Sequence, residues 1–465
     1  MLPPRITLPS AIQLYKWVAH PIEFMKEATQ RHGDTFVMQF PKNPPFVFTS
    51  NPEMIRQVFT GKPDELHAGE ANRVTEPVVG SNSLLLLDGE THIRERRRMT
   101  PAFHGERMLA YGLSMRASAE RAIDRWPVGE AFTLHEQFQD ITLDVILKTV
   151  FGLSEGESIE RFRKLLVELL NLGSHPAVLA VSALMPAEKV RGLFALGSKP
   201  LQLGPFQADP SRALPWARLS RLLQEVDGYL FAEIARRRAE GVEGREDVLS
   251  MLMQVRDEDG QAMSDQELRD EAVTLLIAGH ETSATTLAWT FHQLLQRPDV
   301  VEKLRAELQQ VAGTGPVAPE QVNRLEYLDA TLKETLRLLP VVPAVGRLLQ
   351  RPMKLGNWEL PAGFAVMPCI YLTQRRPDLW PDAERFEPER FVGKRVNPYE
   401  YFPFGGGARR CIGMAFATYE MKIVLAEVLR KVKLRAATRY TPEVVRRGVT
   451  FAPASGVPVI VEARA

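Results

Sequence analysis

The stretch Phe404-Gly405-Gly406-Gly407-Ala408-Arg409-Arg410-Cys411-Ile412-Gly413 decides how the rest of the chain is read. Three consecutive glycines free the backbone for positive φ and let amide N–H groups approach a ligand atom without interference from a Cβ. Cys411 stands where a helical pattern running to about Val432 begins, and a helix N-terminus favours the thiolate, the form of cysteine that binds metal. Gly413, read as part of the first turn, removes a side chain that would hold the helix away from a flat cofactor. Two plainer readings compete. A buried, unreactive cysteine is common for this residue type. A phosphate loop would need Gly-Lys-Ser/Thr, or a third glycine correctly spaced after a strand, and both are absent.

Working upstream, Ser264-Asp265-Gln266-Glu267 reads as a capping box, with serine at N-cap and glutamate at N3, and the helical pattern continues to Arg297 before Pro298. At 1.5 Å per residue that helix is roughly 50 Å long. Ala278-Gly279-His280-Glu281-Thr282-Ser283 interrupts it with polar residues between Leu275-Leu276-Ile277 and Ala284-Thr285-Thr286-Leu287, a pattern that stability alone would not select. Gly279 permits close approach of a ligand, and the Thr282 hydroxyl can divert a backbone hydrogen bond and open the helix locally. Alone, this would be a solvated face with an ordinary acid. Beside the cysteine loop, a small polar groove with Glu281 as a proton source is the better reading. His280 reads as a space-filling or surface residue rather than a ligand.

Glu334 and Arg337, at i and i+3, would alone be a surface ion pair of little worth. Downstream of them comes Phe386-Glu387-Pro388-Glu389-Arg390-Phe391. His92 and Arg96 stand at i and i+4 and so share one helix face. Their neighbours Arg94, Arg97 and Arg98 read as a solvated face, since no aromatic residues interleave them as a nucleic-acid surface would require.

Phe404, Gly407, Arg409, Cys411 and Gly413 match, residue by residue, the haem-binding signature of the cytochrome P450 superfamily. On these residues the chain resembles a soluble, bacterial-type haem-thiolate monooxygenase. The resemblance implies a single catalytic domain over residues 1–465, mainly α with a smaller β region, in the superfamily's triangular fold. It implies haem b (iron protoporphyrin IX), with Cys411 as the metal ligand and Phe404, Gly405 and Gly413 as part of its binding loop. His92, Arg96, Arg347 and Arg409 match the partners of the two propionates. Glu281 and Thr282 match the acid-alcohol pair that holds dioxygen and delivers protons, and Glu334, Arg337 and Arg390 resemble a buried charge triad.

The implied reaction inserts one atom of dioxygen into a lipophilic substrate such as a fatty acid, terpenoid, steroid or similar natural product. By the same analogy Leu84, Leu87, Ala278, Val341, Val342, Val449, Thr450 and Phe451 line the substrate pocket. The stretch after Cys411 is too short for a reductase domain, so electrons are expected from a separate ferredoxin or flavodoxin with its NAD(P)H reductase. Two rivals remain: a peroxide-driven peroxygenase, which usually lacks the acid-alcohol pair, and a non-catalytic haem sensor, which would be shorter or joined to an output domain.

Composition narrows the setting. Lys+Arg of 58 against Asp+Glu of 57 leaves a net charge of +1, which argues against whole-molecule attraction to nucleic acid or anionic lipid. The two cysteines, Cys369 and Cys411, lack partners at metal-finger spacing, and MLPPRITLPS lacks a signal pattern, so a reducing, cytoplasmic compartment is expected. The longest low-polarity stretch, about Pro176 to Ala187, falls short of the roughly 20 residues of a membrane span. A monomer without a membrane span or nucleic-acid partner is expected.

Hydrophobic periodicity predicts a helix-rich body over about 91–340 and β-rich parts over about 35–50, 341–400 and 440–465. Within these, Pro21 to His32 reads as a helix ending at Gly33, and Thr35 to Phe40 with Phe46 to Thr49 as a hairpin. Gly192 to Pro215 reads as a mobile hydrophobic lid, and Val449 to Val461 as two short strands around a glycine-containing turn.

Overall fold

A computed structural model describes residues 1–105, 107–153, 157–173, 178, 189, 192, 201–203, 206–208, 214–438 and 443–464. The chain is 55% helical with small sheets, in line with the mainly α expectation. It falls into two compact units: Met1–Leu66, Phe103–Ile146 and Gly279–Ala465 form the first, His67–Ala102 and Leu147–Ala278 the second. Apart from the short strands Leu201–Leu203 and Phe206–Ala208, the lid reading over 192–215 lies outside the described residues, as does most of 176–187. Among the described residues no helix is long and apolar enough to cross a membrane.

Five helices carry the functional residues: α1 (Gly89–Met99), α2 (Leu134–Thr149), α3 (Asp265–Leu294), α4 (Glu326–Leu338) and α5 (Met414–Lys431). The start of α3 follows the sequence signal. Ser264 Oγ accepts from the Glu267 amide at 3.2 Å while the Glu267 carboxylate accepts from the Ser264 amide at 2.7 Å, a reciprocal capping box. Its end comes at Leu294, one turn before Pro298, which starts the next helix at its first position. In α4, acids Glu326 and Asp329 occupy the first turn and Arg337 the last, matching the helix dipole, and Leu328, Leu332 and Leu336 recur every fourth residue on the buried face.

In the first unit β1 (Thr35–Met38) pairs antiparallel with β2 (Phe46–Thr49), as the hairpin reading requires. Two later strands, β3 (Arg347–Leu349) and β4 (Ala365–Pro368), extend that sheet: β4 lies parallel to β2 and antiparallel to β3. The helix Pro21–His32 ends at Gly33, as read from sequence. The C-terminal region departs from expectation. Thr450–Pro453 pairs with Val444–Arg447 around Gly448, while Pro458–Arg464 leaves that hairpin and pairs with Val432–Ala436 and Ala131–Thr133. Local pattern finds the strands; their partners are set by segments far away in sequence.

Arg98 also departs from the solvated-face reading. In the second unit its side chain is 7% exposed and pairs with Glu95 at 3.2 Å and with Asp257 at 2.5 Å. Arg97 does remain outside, paired with Glu258.

Candidate active site

The cysteine loop is built around Phe59, the penultimate residue of the helix Pro52–Thr60. A Cβ at Gly406 would run into the Phe59 ring and one at Gly407 into its carbonyl, while Gly405 and Gly407 adopt φ of +67° and +65°. Gly406 and Gly407 therefore serve close packing onto Phe59, where the sequence had suggested approach to a ligand. Gly413 differs: a Cβ there would meet nothing within 4 Å. The Cys411 amide donates to the Phe404 carbonyl at 2.9 Å and closes the loop, with Phe404 and Gly405 half-buried and Cys411 exposed.

The helix behind the loop starts at Met414, with Gly413 as its N-cap, three residues later than the pattern suggested. The 3-10 turn Gly407–Arg409 and the extended Arg410 (ψ 140°) keep Cys411 outside the helix.

Arg347 opens β3 opposite Val366, is buried, and donates Nη1 to the Gly346 carbonyl at 2.8 Å and Nη2 to the Gly406 carbonyl at 3.3 Å. Its guanidinium lies 5.9 Å from the Phe59 ring, and with Arg409 it lines a small cavity beside Gly406 and Ala408. Two predicted propionate partners thus flank the cysteine loop. A soft sulfur ligand, open space at the Gly413 turn and two guanidinium groups suit a flat iron macrocycle carrying carboxylates, so these residues fit haem.

The polar interruption of α3 is held by α2. Glu281 Oε2 accepts from Gln139 Nε2 at 2.6 Å, and Glu281 Oε1 accepts from the Thr285 hydroxyl at 3.3 Å and lies 3.5 Å from His135 Nε2. Burial pushes the Glu281 carboxyl up, but the bond and charge of His135 together with the Gln139 amide outweigh it and bring it down to about 2. Glu281 is therefore a carboxylate at neutral pH. The Thr142 hydroxyl donates to the His280 carbonyl at 3.0 Å, taking a backbone acceptor within the interruption.

His280 is buried and its imidazole is pushed down to about 4 by desolvation, so it is a neutral core residue, as read. Gly279 has a different purpose from the one expected. A Cβ there would approach Ile146 Cδ1 to 2.9 Å, so its missing side chain admits α2. Thr282, next to Glu281, is half-buried.

Glu334, Arg337 and Arg390 come together as expected. Glu334 and Arg337 are fully buried, with Oε2 to Nε at 2.7 Å and Oε1 to Nη2 at 2.8 Å, and Arg390 Nε is 3.4 Å from Glu334 Oε1. Burial pushes the Glu334 carboxyl up, and the arginines offset that only in part. Arg337 also donates to the carbonyls of Gln374 (2.9 Å), Ala383 (2.8 Å) and Arg385 (3.2 Å), and the Gln374 side chain accepts from the Phe402 amide at 3.1 Å. The pair thereby fixes the chain that leads into the cysteine loop.

In the second unit His92 is buried on α1 and Arg96 is half-buried one turn later. Of the expected pocket residues there, Leu84 is buried with its amide donating to Glu271 Oε1 at 2.7 Å, Leu87 is half-buried and Ala278 exposed. In the first unit Val341 is buried and its carbonyl accepts from the Phe451 amide at 2.8 Å, Val342 is half-buried, Thr450 is buried and Val449 is exposed. The Phe451 ring joins the core cluster of Trp17, Phe24, Met25 and Cys369. His135 and Gln139 were missed by sequence reasoning. Their i, i+4 spacing places them on one face, but nothing local says which acid that face meets.

A family model described as Cytochrome P450 matches residues 2–454. Cytochrome P450 135B1 of Mycobacterium tuberculosis is 37% identical over 465 residues, covering 99% of this chain and 92% of that protein. Cytochrome P450 138 of the same species is 32% identical over 465 residues, covering 100% and 97%. Among solved structures, a cyanobacterial CYP120A1 with retinoic acid bound superposes with a TM-score of 0.83 at 24% identity, over 100% of this chain and 99% of that one. The heme domain of cytochrome P450DA gives 0.82 at 22% identity, over 99% and 97%.

Proposed function

The chain belongs to the cytochrome P450 family of haem-binding monooxygenases, and from that premise we propose that it oxygenates a lipophilic small molecule at a haem ligated by Cys411, with electrons from a separate ferredoxin or flavodoxin and its NAD(P)H reductase. Fatty acids, terpenoids, steroids and similar natural products are the substrate classes we assign. The haem, when bound, supplies the activation of dioxygen.

The residues of the chain supply the rest. Arg347 and Arg409 hold the propionates, joined in this reading by His92 and Arg96, and Glu334, Arg337 and Arg390 hold the approach to the cysteine loop. With haem bound, the Thr282 hydroxyl would serve as a hydrogen-bonding group at the interruption of α3, and Glu281 would hold and release a proton beside it.

The observation that carries this reading is the acid at the interruption of α3: Glu281 stands beside Thr282, half-buried, with Gln139 and His135 of α2 against its carboxylate. The peroxygenase reading fits less well, since that branch usually lacks the acid-alcohol pair, and a non-catalytic sensor has no use for the pair. We also assign the chain to the cytoplasm, since two cysteines at positions 369 and 411 give no disulfide framework, and we take it to be a monomer.

The test uses a compound found by screening lipophilic molecules for a shift of the haem Soret band. Thr282→Ala and Glu281→Gln should keep haem but divert electrons into hydrogen peroxide, lowering product per NAD(P)H by a factor on the order of 10². Wild-type coupling in Thr282→Ala would reassign that hydroxyl to helix packing.

A further inference from the structure

Glu281 is held as a carboxylate, so it delivers a proton only after taking one up, and three hydrogen-bonding groups touch it. Gln139 is an amide and does not titrate. The Thr285 hydroxyl has one hydrogen, and it points to Glu281 Oε1 at 3.3 Å. His135 Nε2 lies 3.1 Å from that same hydroxyl oxygen and 3.5 Å from Glu281 Oε1. With the threonine hydrogen committed to the carboxylate, Nε2 must be the donor in the His135–Thr285 bond. The three groups then line up as Nε2–H to Oγ1–H to Oε1, donor to acceptor throughout.

The imidazole is fixed for this task. His135 is 1% exposed and Thr285 is fully buried. The His135 amide donates to the Gly456 carbonyl at 2.9 Å, and Gly456, at φ +66°, sits with its missing Cβ against Thr133 and the His135 Cβ. Among the described residues, the other titratable group acting on this pair is His280, also on α3, which burial keeps neutral. Glu281 is thus the charge that faces His135.

We propose that His135, acting through the Thr285 hydroxyl, is the positioning residue that loads Glu281 with the proton it delivers. This rests on the reading of Glu281 and Thr282 given above. In the step, the Nε2–H bond of the imidazolium breaks and its electron pair stays on Nε2. Thr285 Oγ1 takes that proton and gives its own to Glu281 Oε1. The products are a neutral imidazole and a carboxylic acid, and a solvent proton restores the imidazolium.

Two variants and two readouts on the holoenzyme test this. His135→Gln keeps a donor but cannot cycle a proton, and Thr285→Val removes the bridge without touching either charge. Both should retain haem and lower product per NAD(P)H about 10-fold or more, with the compound from the Soret screen. Wild-type coupling should depend on pH, whereas coupling in His135→Gln and Thr285→Val should be low and flat across pH. Independently of turnover, melting temperatures of His135→Gln, Glu281→Gln and the double variant should be non-additive, because the two side chains share one hydrogen-bonded network.

If Glu281→Gln uncouples while His135→Gln and Thr285→Val stay coupled, the relay is overturned and the role of Glu281 stands. If Glu281→Gln stays coupled, the reading beneath it fails. Melting effects that add would reduce His135 to a packing residue.

Discussion

Cys369 follows β4 in a core with Met25 and Phe451, its sulfur 3.7 Å from Met25 Sδ and 3.6 Å from the Pro343 carbonyl, and burial pushes its thiol up to about 12. Cys411 is exposed, between Arg410 and the N-cap of α5, in a loop flanked by Arg347 and Arg409. The two residues are chemically identical. Low dielectric withholds the thiolate from the first, while the second stands exposed in a glycine- and arginine-containing loop. Reactivity is therefore read from the neighbours of a cysteine, and here the glycines and arginines of the loop announce it.

The sharpest way to break that contrast is to remove what holds both regions in place. Arg337 bonds the Gln374 carbonyl just after Cys369, and Gln374 bonds Phe402 just before the loop. Arg337→Ala removes the bidentate partner of the buried Glu334 and leaves it only Arg390 and the Glu387 amide, a cost of about 3–5 kcal/mol. The variant should give little holoprotein, and Cys369 should become reactive to a thiol reagent. Normal haem content and an unreactive Cys369 would show that the pair bears no such strain.

A second test concerns the buried acid on α5. Glu420 has an oxygen without a hydrogen-bond partner, and burial pushes its carboxyl up from 4.5 to about 8. It is a raised acid, so the folded state binds the extra proton. Its contribution is full below about pH 4.5 and is lost as pH rises through about 8, on the order of 5 kcal/mol in all. Glu420→Gln should therefore resist denaturant better than wild type above pH 8 and similarly near pH 5. An unchanged alkaline limb would mean that Glu420 is already ionised below pH 8 in spite of its burial. The smallest effect belongs to Cys369→Ala, roughly 1 kcal/mol of stability with the haem spectrum untouched.

Much of this was legible in the sequence because the signals were local. The capping box at Ser264, the helix ending at Gly33, the β1–β2 hairpin and the charge triad all depend on short spacings or a known motif. Features that depend on distant partners were misread or missed. Gly279 and the glycines before Cys411 looked like ligand clearances, but Gly279 admits Ile146 and Gly406 and Gly407 admit Phe59. Arg98 looked solvated because Asp257 is remote in sequence. His135 gave no signal at all, since its meaning comes from Glu281 and Thr285 across a helix contact. The start of α5 was placed early because nothing in Cys411-Ile412 forbids a helix, whereas the turn before them does.

The central claim is that Cys411, and not Cys369, ligates the haem iron. The most direct measurement is the carbon monoxide difference spectrum of reduced protein for wild type, Cys411→Ser and Cys369→Ala. The thiolate Soret band should be present in wild type and Cys369→Ala and absent in Cys411→Ser. A thiolate band that survived in Cys411→Ser, or vanished in well-folded Cys369→Ala, would contradict the account.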